Sequence, residues 1–379
     1  MDNKKRKILI IYATAGIGHK KASLAIKAAF DEIAPGNAEA TLIDSLDYTT
    51  RFFKWVYLEF YLVMVNKLSS IWGFLYYLTD NKYADAFIMY LRWFNNWIYA
   101  KKLREYLIET DPDVIISTHF FASEVIADMK KNGKLASRLV TVVTDYRLHS
   151  WWVADHTDIY VVGSEDARQD LLQWSTPESK IKVLGIPVEP VFSRQADRLK
   201  TAQKLGLDKD KFTVLVVGGG FGVGPIEDIV KAMVCYPNIQ IVVICGHNEK
   251  LIERVKKINV EAGGCVKPVG FVDNVYDFMT ASDVLISKAG GITVSESLAK
   301  ELPMIVIAPI PGQETRNSAF LMTHNAAVRV DTATEVRQAI EDLMAHPEKL
   351  ERIKESIRSI RRPNASYDIA KLALELARE

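Results

Sequence analysis

The chain of 379 residues carries only three cysteines, Cys235, Cys245 and Cys265. They lack the spacing of paired metal ligands, and their odd number disfavours a disulfide framework, so a reducing cytosol is the expected compartment. Neither sign of charge is in excess: 48 Lys and Arg stand against 47 Asp and Glu, for a net charge of +1. That balance removes the global electrostatic case for nucleic acid. No apolar run approaches the ~18 residues needed to cross a bilayer. Charges at Asp2, Lys4, Lys5, Arg6 and Lys7 lead straight into a short strand, so no signal peptide is expected. Missing too are H-E-x-x-H, C-x-x-C and G-x-S-x-G, which leaves no zincin, dithiol or serine-hydrolase signature and no metal site.

What the chain does have is length for two domains and a 49% hydrophobic, 25% charged composition that indicates a folded protein. Short apolar runs at 8–12, 40–43, 113–117, 139–143 and 159–162 alternate with helical patterns, as in α/β folds with parallel sheets. The rhythm pauses between 186 and 212, where "GIPVEPVF" and a polar stretch mark a domain junction. It resumes with "FTVLVVGGG", "QIVVICG", "VKPVGFV", "DVLIS" and "MIVIAP", and "NASYDIAKLALELARE" closes the chain as an amphipathic helix. The expected units are 1–192, 193–362 and a terminal helix, 363–379, packing back towards the first. A helical insertion, 51–110, interrupts the first series. Within it, residues 51–104 hold 17 of the 37 aromatics and eight Lys/Arg against three Asp/Glu. That composition fits a membrane interface, and equally a helical subdomain with an aromatic core and basic solvated faces.

Ligands of open α/β sheets bind at the carboxyl ends of the strands, so the strand-to-helix turns are where chemistry is sought. "YATAGIGHKKASLA" is a glycine turn with neither G-x-G-x-x-G nor G-K-[ST], and it ends in His19. A helix start lowers an imidazole pKa and favours the neutral base, although a lone His also serves as a cap. "VVTDYRLHSWWVAD" adds Asp145 and His149 beside Trp151 and Trp152; the plainer alternative is a turn-forming Asp and an exposed aromatic pair. In "SKAGGITVSESLA", Gly290 and Gly291 precede a helix expected to start near Thr293, a setting that favours a diphosphate. Glu296 one turn on suits ribose hydroxyls, but Thr293-Val-Ser-Glu296 also fits the capping box S/T-x-x-E. Gln313, Glu314 and Asn317 in "PIPGQETRN" gather groups that sugar hydroxyls require. "VVGGGFGVG" is either a tight turn or a close backbone seat for phosphate or sugar. In "VGFVDNV", Phe271 suits a nucleobase edge or a core anchor.

These blocks occur in one order across the chain: "GIGHKKASLAI", "VVTDYRLHSWW", "VVGGGFG", "GFVDNVYDFMTASDVLISKAGGITVSESLA" and "PIPGQETRN". They resemble the diacylglycerol glycosyltransferases, both the bacterial processive glucosyltransferases and the plant monogalactosyldiacylglycerol synthases, which are similar to MurG. The resemblance implies a GT-B fold of two Rossmann-like domains facing across a cleft, an acceptor-binding 1–192 and a UDP-sugar-binding 193–362. It implies inverting transfer of a hexose from UDP-glucose or UDP-galactose to diacylglycerol, without a metal or cofactor. His19 would be the base, with Asp145 as second candidate. Glu296 would hold the ribose, Gly290, Gly291 and Thr293 the diphosphate, and Gln313, Glu314 and Asn317 the hexose. Phe271 and Val272 would lie by the uracil, and Gly18, Gly219, Gly220, Phe221 and Gly246 would line the donor side. Trp55, Trp72, Trp93 and Trp97, with His149, Trp151 and Trp152, would meet the acceptor and anionic lipid, placing a peripheral enzyme on the cytoplasmic face of the membrane. Two departures are Gly16-Ile17-Gly18, where plant members have three glycines, and "YATAG", which lacks their acidic residue. A soluble-acceptor transferase, a UDP-sugar epimerase and a non-catalytic UDP-sugar-binding regulator are the competing classes.

Overall fold

The computed structural model describes residues 5–377 apart from 15, 37, 81–97, 219–224, 235 and 237, and leaves the side chains of 60–62 and 65–67 undescribed. Two compact units result: Met1–Pro190 with Ile310–Arg316 and Asn364–Glu379, and Val191–Pro309 with Asn317–Pro363.

The first unit is built on β1 (Arg6–Tyr12), β2 (Ala38–Asp44), β3 (Val114–Ser117), β4 (Arg138–Val142), β5 (Ile159–Val162) and β6 (Ile181–Val183), ordered β2-β1-β3-β4-β5-β6 with every pair parallel. Parallel strands need crossovers, so helices cover both faces and the central strands are apolar throughout. In β1, Leu9 and Ile11 enter one core with Ile115 and Leu139, while Ile8 and Ile10 enter the other with Val114 and Val140. The helices are α1 (Ile17–Ile33), α2 (Arg51–Lys67), α3 (Ser69–Thr79), α4 (Lys101–Thr110), α5 (Phe120–Lys131) and α6 (Glu165–Gln173).

The second unit repeats the scheme with β7 (Phe212–Val217), β8 (Ile239–Ile244), β9 (Val266–Val269), β10 (Val284–Ser287), β11 (Met304–Ile307) and β12 (Ala327–Val330). Their order, β12-β11-β10-β7-β8-β9, is again parallel at every pair. Counted within the unit it is the 3-2-1-4-5-6 order of dinucleotide-binding sheets, whereas the first unit has the flavodoxin-like order. Its chain carries α7 (Arg198–Lys204), α8 (Ile226–Met233), α9 (Glu249–Glu261), α10 (Val275–Ala281), α11 (Gly291–Ala299), α12 (Gln313–Thr323), whose first turn belongs to the first unit, α13 (Ala333–Ala345) and α14 (Pro347–Ile360).

Terminal helix α15 (Ala365–Leu376) belongs to the first unit, where Ile369, Ala370 and Ala373 join the core against Ile26 and Phe30 of α1. The Tyr367 hydroxyl donates to Glu32 at 2.6 Å, and the Ser366 hydroxyl donates to the Val188 carbonyl. One segment departs from the sequence expectation: Ile310–Arg316, read as part of the second domain, clusters with the first unit. The reason is local. It packs on α3, with Ile310 against the Trp72 and Tyr76 cluster.

Candidate active site

In the first unit the strand order reverses between β1 and β3, and His19 sits at that switch point. The chain leaves β1 and enters α1 through Gly16, whose φ of 125° suits only glycine. Gly18 and His19 then fall in the first helical turn. From the end of β3, the Thr118 carbonyl lies 2.7 Å from His19 Nδ1. A carbonyl only accepts, so Nδ1 carries the proton and Nε2 the lone pair of the neutral ring. Thr144 Oγ1, from the loop after β4, is 3.1 Å from the same Nδ1. Burial lowers the His19 pKa to about 4, with the Thr118 contact acting in the opposite direction. His119 packs edge-on at 4.6 Å and caps α5, its Nδ1 accepting from the Phe121 N–H.

Asp145 follows Thr144 on the same loop, and its charge, after burial, holds the Tyr76 phenol in its neutral form. The acidic residue absent from "YATAG" has a counterpart from the next strand. Asp44 of β2 accepts from the Thr14 N–H at 3.3 Å and from its hydroxyl. Sequence inspection missed Thr118, His119, Thr144 and Asp44. The available signal was the polar run "STH" at the end of an apolar strand.

The aromatic insertion divides sharply. Trp55 is 62% exposed and Phe74 66%, and Phe52, Ile71 and Leu78 are exposed with them on α2 and α3. Trp72, expected beside Trp55 as a membrane anchor, is only 9% exposed and packs with Met64 and Tyr76. Trp152 is buried among Leu148, Tyr160 and Val162, and Trp151 is half-buried, so these are not an exposed pair. His149 is committed to structure: its Nε2 donates to the Tyr76 carbonyl at 2.8 Å, and its Nδ1 accepts from the Trp151 N–H. Buried rings have no surface to place in a bilayer, which removes Trp72, His149 and Trp152 as lipid anchors. Trp93 and Trp97 lie outside the described residues. Among the described residues no helix is long and apolar enough to cross a membrane.

Gln313 and Glu314 open α12 in the segment that packs on α3. Glu314 closes its own turn, one carboxylate oxygen accepting from the Ile310 N–H at 2.8 Å. Gln313 Oε1 accepts from the Trp72 indole at 3.4 Å.

In the second unit the switch point lies between β7 and β10. The turn after β7 holds Gly219, Gly220 and Phe221, all outside the described residues. The turn after β10 is described in full, and it corrects the capping-box alternative. Helix α11 begins at Gly291, two residues before the expected start, with Gly290 as N-cap and no side-chain cap. Thr293 is therefore inside the first turn and cannot cap. Glu296 lies in the second turn, 4% exposed. Gly290 has φ −67° and ψ 137°, which any residue adopts, and a Cβ there would meet nothing within 4 Å. Neither backbone nor packing requires glycine at that point; close approach of a ligand would. Gly246 is different, since its φ of 59° explains it as a turn residue.

Asn317 is another correction. It has no exposed surface, and its Nδ2 donates to the Ala289 carbonyl at 3.1 Å. It braces the glycine turn and has no surface to offer a hexose. Phe271, by contrast, is 64% exposed, so it is not a core anchor. It stacks on His247, ring centres 4.3 Å apart and planes within 13°. Val272 beside it is half-buried. His247 follows Gly246 at the end of β8 and was not singled out from the sequence. Among the described residues no group of three or more His, Cys, Asp or Glu could hold a metal ion.

Two sequence profiles match in tandem: monogalactosyldiacylglycerol (MGDG) synthase over residues 19–188, and the glycosyltransferase family 28 C-terminal domain over residues 213–372. A processive diacylglycerol beta-glucosyltransferase of Bacillus pumilus is 29% identical over 371 residues, covering 97% of this chain and 94% of its own. The protein of the same name from Bacillus cytotoxicus is 28% identical over 377 residues, covering 98% and 94%. Among solved structures, MurG of Acinetobacter baumannii is 14% identical with a TM-score of 0.67, covering 98% of this chain and 99% of that one. That likeness is one of fold, two Rossmann-like domains of the GT-B kind.

Proposed function

The chain belongs to the diacylglycerol glycosyltransferase family, and on that premise we propose that it transfers a hexose from a UDP-sugar to the free hydroxyl of 1,2-diacylglycerol with inversion, giving a β-glycosyl diacylglycerol. The observation that carries this reading is His19: a half-buried imidazole with Nδ1 held by the Thr118 carbonyl and a pKa lowered to about 4 by desolvation. Such a ring is neutral at working pH, with its basic nitrogen committed to no proton of its own.

In the reaction the acceptor oxygen attacks the anomeric carbon as Nε2 of His19 takes its proton. The bond from that carbon to the β-phosphate oxygen breaks, and UDP departs. The uncapped start of α11 suits the diphosphate, because backbone N–H groups and the helix dipole both favour negative charge there. With that stabilisation the reaction should need no metal or cofactor. Glu296 would take the ribose, Phe271 the uracil, and Gln313 with Glu314 the hexose. Asp145 is the second candidate for the base. The exposed apolar face of α2 and α3 would seat the enzyme peripherally on the cytoplasmic face of the membrane, with anionic lipid strengthening contact to its basic residues. Glucose is put first because the curated relatives are beta-glucosyltransferases. The second reading, UDP-galactose, rests on the MGDG synthase profile over residues 19–188.

The test is chromatography of lipid products and assay of released UDP, with diacylglycerol in anionic vesicles, UDP-glucose and UDP-galactose in parallel, and EDTA throughout. His19→Ala and Glu296→Ala run beside the wild type. The expected result is a glycolipid from one donor, lost in both variants. Donor consumed without lipid would point to an epimerase or a soluble acceptor. UDP-sugar bound but never cleaved would leave a regulator.

A further inference from the structure

Helix α3 has two faces with different employment. Ile71, Phe74 and Leu78, at spacings of three and four, are exposed, while Trp72, Gly73 and Tyr76 face the segment Ile310–Arg316. The approach is unusually close. A Cβ on Gly73 would stand 2.5 Å from Pro311 Cβ, so α3 needs glycine here for space and not for its backbone angles. Gly312 then turns with φ 105° directly over the Tyr76 ring and the Trp72 indole nitrogen. Arg316 fastens the far end of the segment. Its guanidinium pairs with Asp80 just past α3, donates to the Leu148 carbonyl at 2.7 Å, and lies over the Tyr76 and Tyr77 rings at 5.1 and 5.4 Å.

Between these fixed points stands Gln313. An indole N–H can only donate, so the bond from Trp72 Nε1 turns the Gln313 carbonyl oxygen towards α3. The amide NH2 is then the group that Gln313 presents elsewhere. A glutamine on a loop is free to offer either end; this one is set to offer donors, which suits the oxygens of a sugar.

We propose that α3 is the seat of the hexose-reading turn, with Trp72, Gly73 and Tyr76 acting as positioning residues that fix Gln313 and Glu314 for the sugar of the donor. The inference rests on the donor reading above and deepens it. One helix thereby carries both the exposed apolar face and the support of the sugar contacts.

The experiment measures affinity for UDP and for UDP-glucose by calorimetry, with KM and kcat on diacylglycerol vesicles, in four proteins: wild type, Trp72→Phe, Gln313→Ala and the double variant. Trp72→Phe keeps a ring in place and deletes the N–H. It should weaken UDP-glucose by about fivefold, the size of one hydrogen bond's net contribution, leave UDP unchanged, and cost nothing further on the Gln313→Ala background. Gly73→Ala is added as a fifth protein: it improves helix propensity yet forces the turn away by about 1 Å to restore ordinary contact. It should lower kcat/KM for the hexose by up to about a hundredfold without moving UDP affinity. The inference is overturned if Trp72→Phe weakens UDP and UDP-glucose equally, or if its effect simply adds to that of Gln313→Ala. A wild type that binds no UDP-sugar and makes no glycolipid would sink the parent reading instead.

Discussion

His19 makes a prediction about pH that separates a base held neutral by the fold from one that merely sits in a turn. Unfolded, its imidazole takes up a proton as pH falls through 6.5; folded, it does so only near pH 4. The stability linked to this group is therefore complete above pH 6.5 and is lost as pH falls towards 4. At ~1.36 kcal/mol per pH unit, the difference between pH 7 and pH 4.5 is about 2 kcal/mol. The comparison is His19→Gln, whose amide can still donate to the Thr118 carbonyl but does not titrate. Urea unfolding at the two pH values should show the wild type losing about 2 kcal/mol more than the variant, since every other titrating group is common to both. Activity gives the parallel reading. The wild-type kcat/KM should be level from pH 8 down to 5.5, where an imidazole of ordinary pKa would already have cost about tenfold. Equal pH slopes in wild type and variant, with an activity limb centred near 6.5, would refute the argument that burial and the Thr118 contact poise this ring.

Two further outcomes are expected. Gly290→Ala should fold with stability within about 1 kcal/mol of the wild type, because its backbone angles and surroundings accept a methyl group and the entropy gained offsets the poorer N-cap. Its affinity for UDP should nonetheless fall about tenfold or more, as phosphate is pushed off the helix start; unchanged UDP affinity in titration calorimetry would remove the diphosphate from α11. Co-sedimentation with vesicles should rise with anionic lipid content and fall about tenfold or more in Trp55→Ser, which deletes a largely exposed ring. Equal binding to neutral vesicles would eliminate the electrostatic part, and unaltered binding of Trp55→Ser would clear α2 of the role.

The alternation of strands and helices was legible because parallel strands buried on both faces read as unbroken apolar runs; "KILIIY" and "DVLIS" are β1 and β10. Family membership was legible from the ordered glycine blocks, and the two profiles and curated relatives agree with it. What escaped was mostly long-range. Nothing local to "GIGHKK" announces Thr118, 99 residues away, as the partner that fixes the tautomer of His19. Composition marked 51–104 as aromatic but could not separate Trp55 from Trp72, because which helix face is covered depends on Pro311 and Gly312, far along the chain. The capping-box alternative failed for a local reason of another kind. Thr293 and Glu296 have the right spacing, but the helix starts two residues earlier, and spacing does not fix phase. Asn317 has the chemistry of a sugar ligand and spends it on the Ala289 carbonyl. Residue type shows what a side chain can bond to; only packing decides which partner it gets.

The two helix starts, at Gly16 and Gly290, meet requirements that look opposite. At α1 the fold must keep an imidazole uncharged; at α11, on the proposed reading, it must attract a diphosphate. Burial lowers the His19 pKa, and the field of a helix start acts in the same sense at both places. The partial positive charge at a helix N-terminus disfavours imidazolium and favours phosphate, so neither site calls for a compensating side chain. Accordingly neither helix has a side-chain cap: the N-caps are glycines at both. Elsewhere in the chain, α2, α6, α9 and α13 begin at Thr50, Ser164, Asn248 and Thr332, each accepting a backbone N–H in the ordinary way. Glycine in place of such a cap forgoes only roughly a few tenths of a kcal/mol, and two of the starts without a side-chain cap are those at the switch points of the two sheets, where ligands of such sheets bind. Helices α3, α4, α8, α10, α14 and α15 also begin without a side-chain cap, so a missing cap alone marks no site; Gly16 and Gly290 are informative for different reasons. Gly16 is glycine because its φ of 125° demands it. Gly290 has no such need; glycine is acceptable there as an N-cap, and on the proposed reading it also leaves room for the diphosphate.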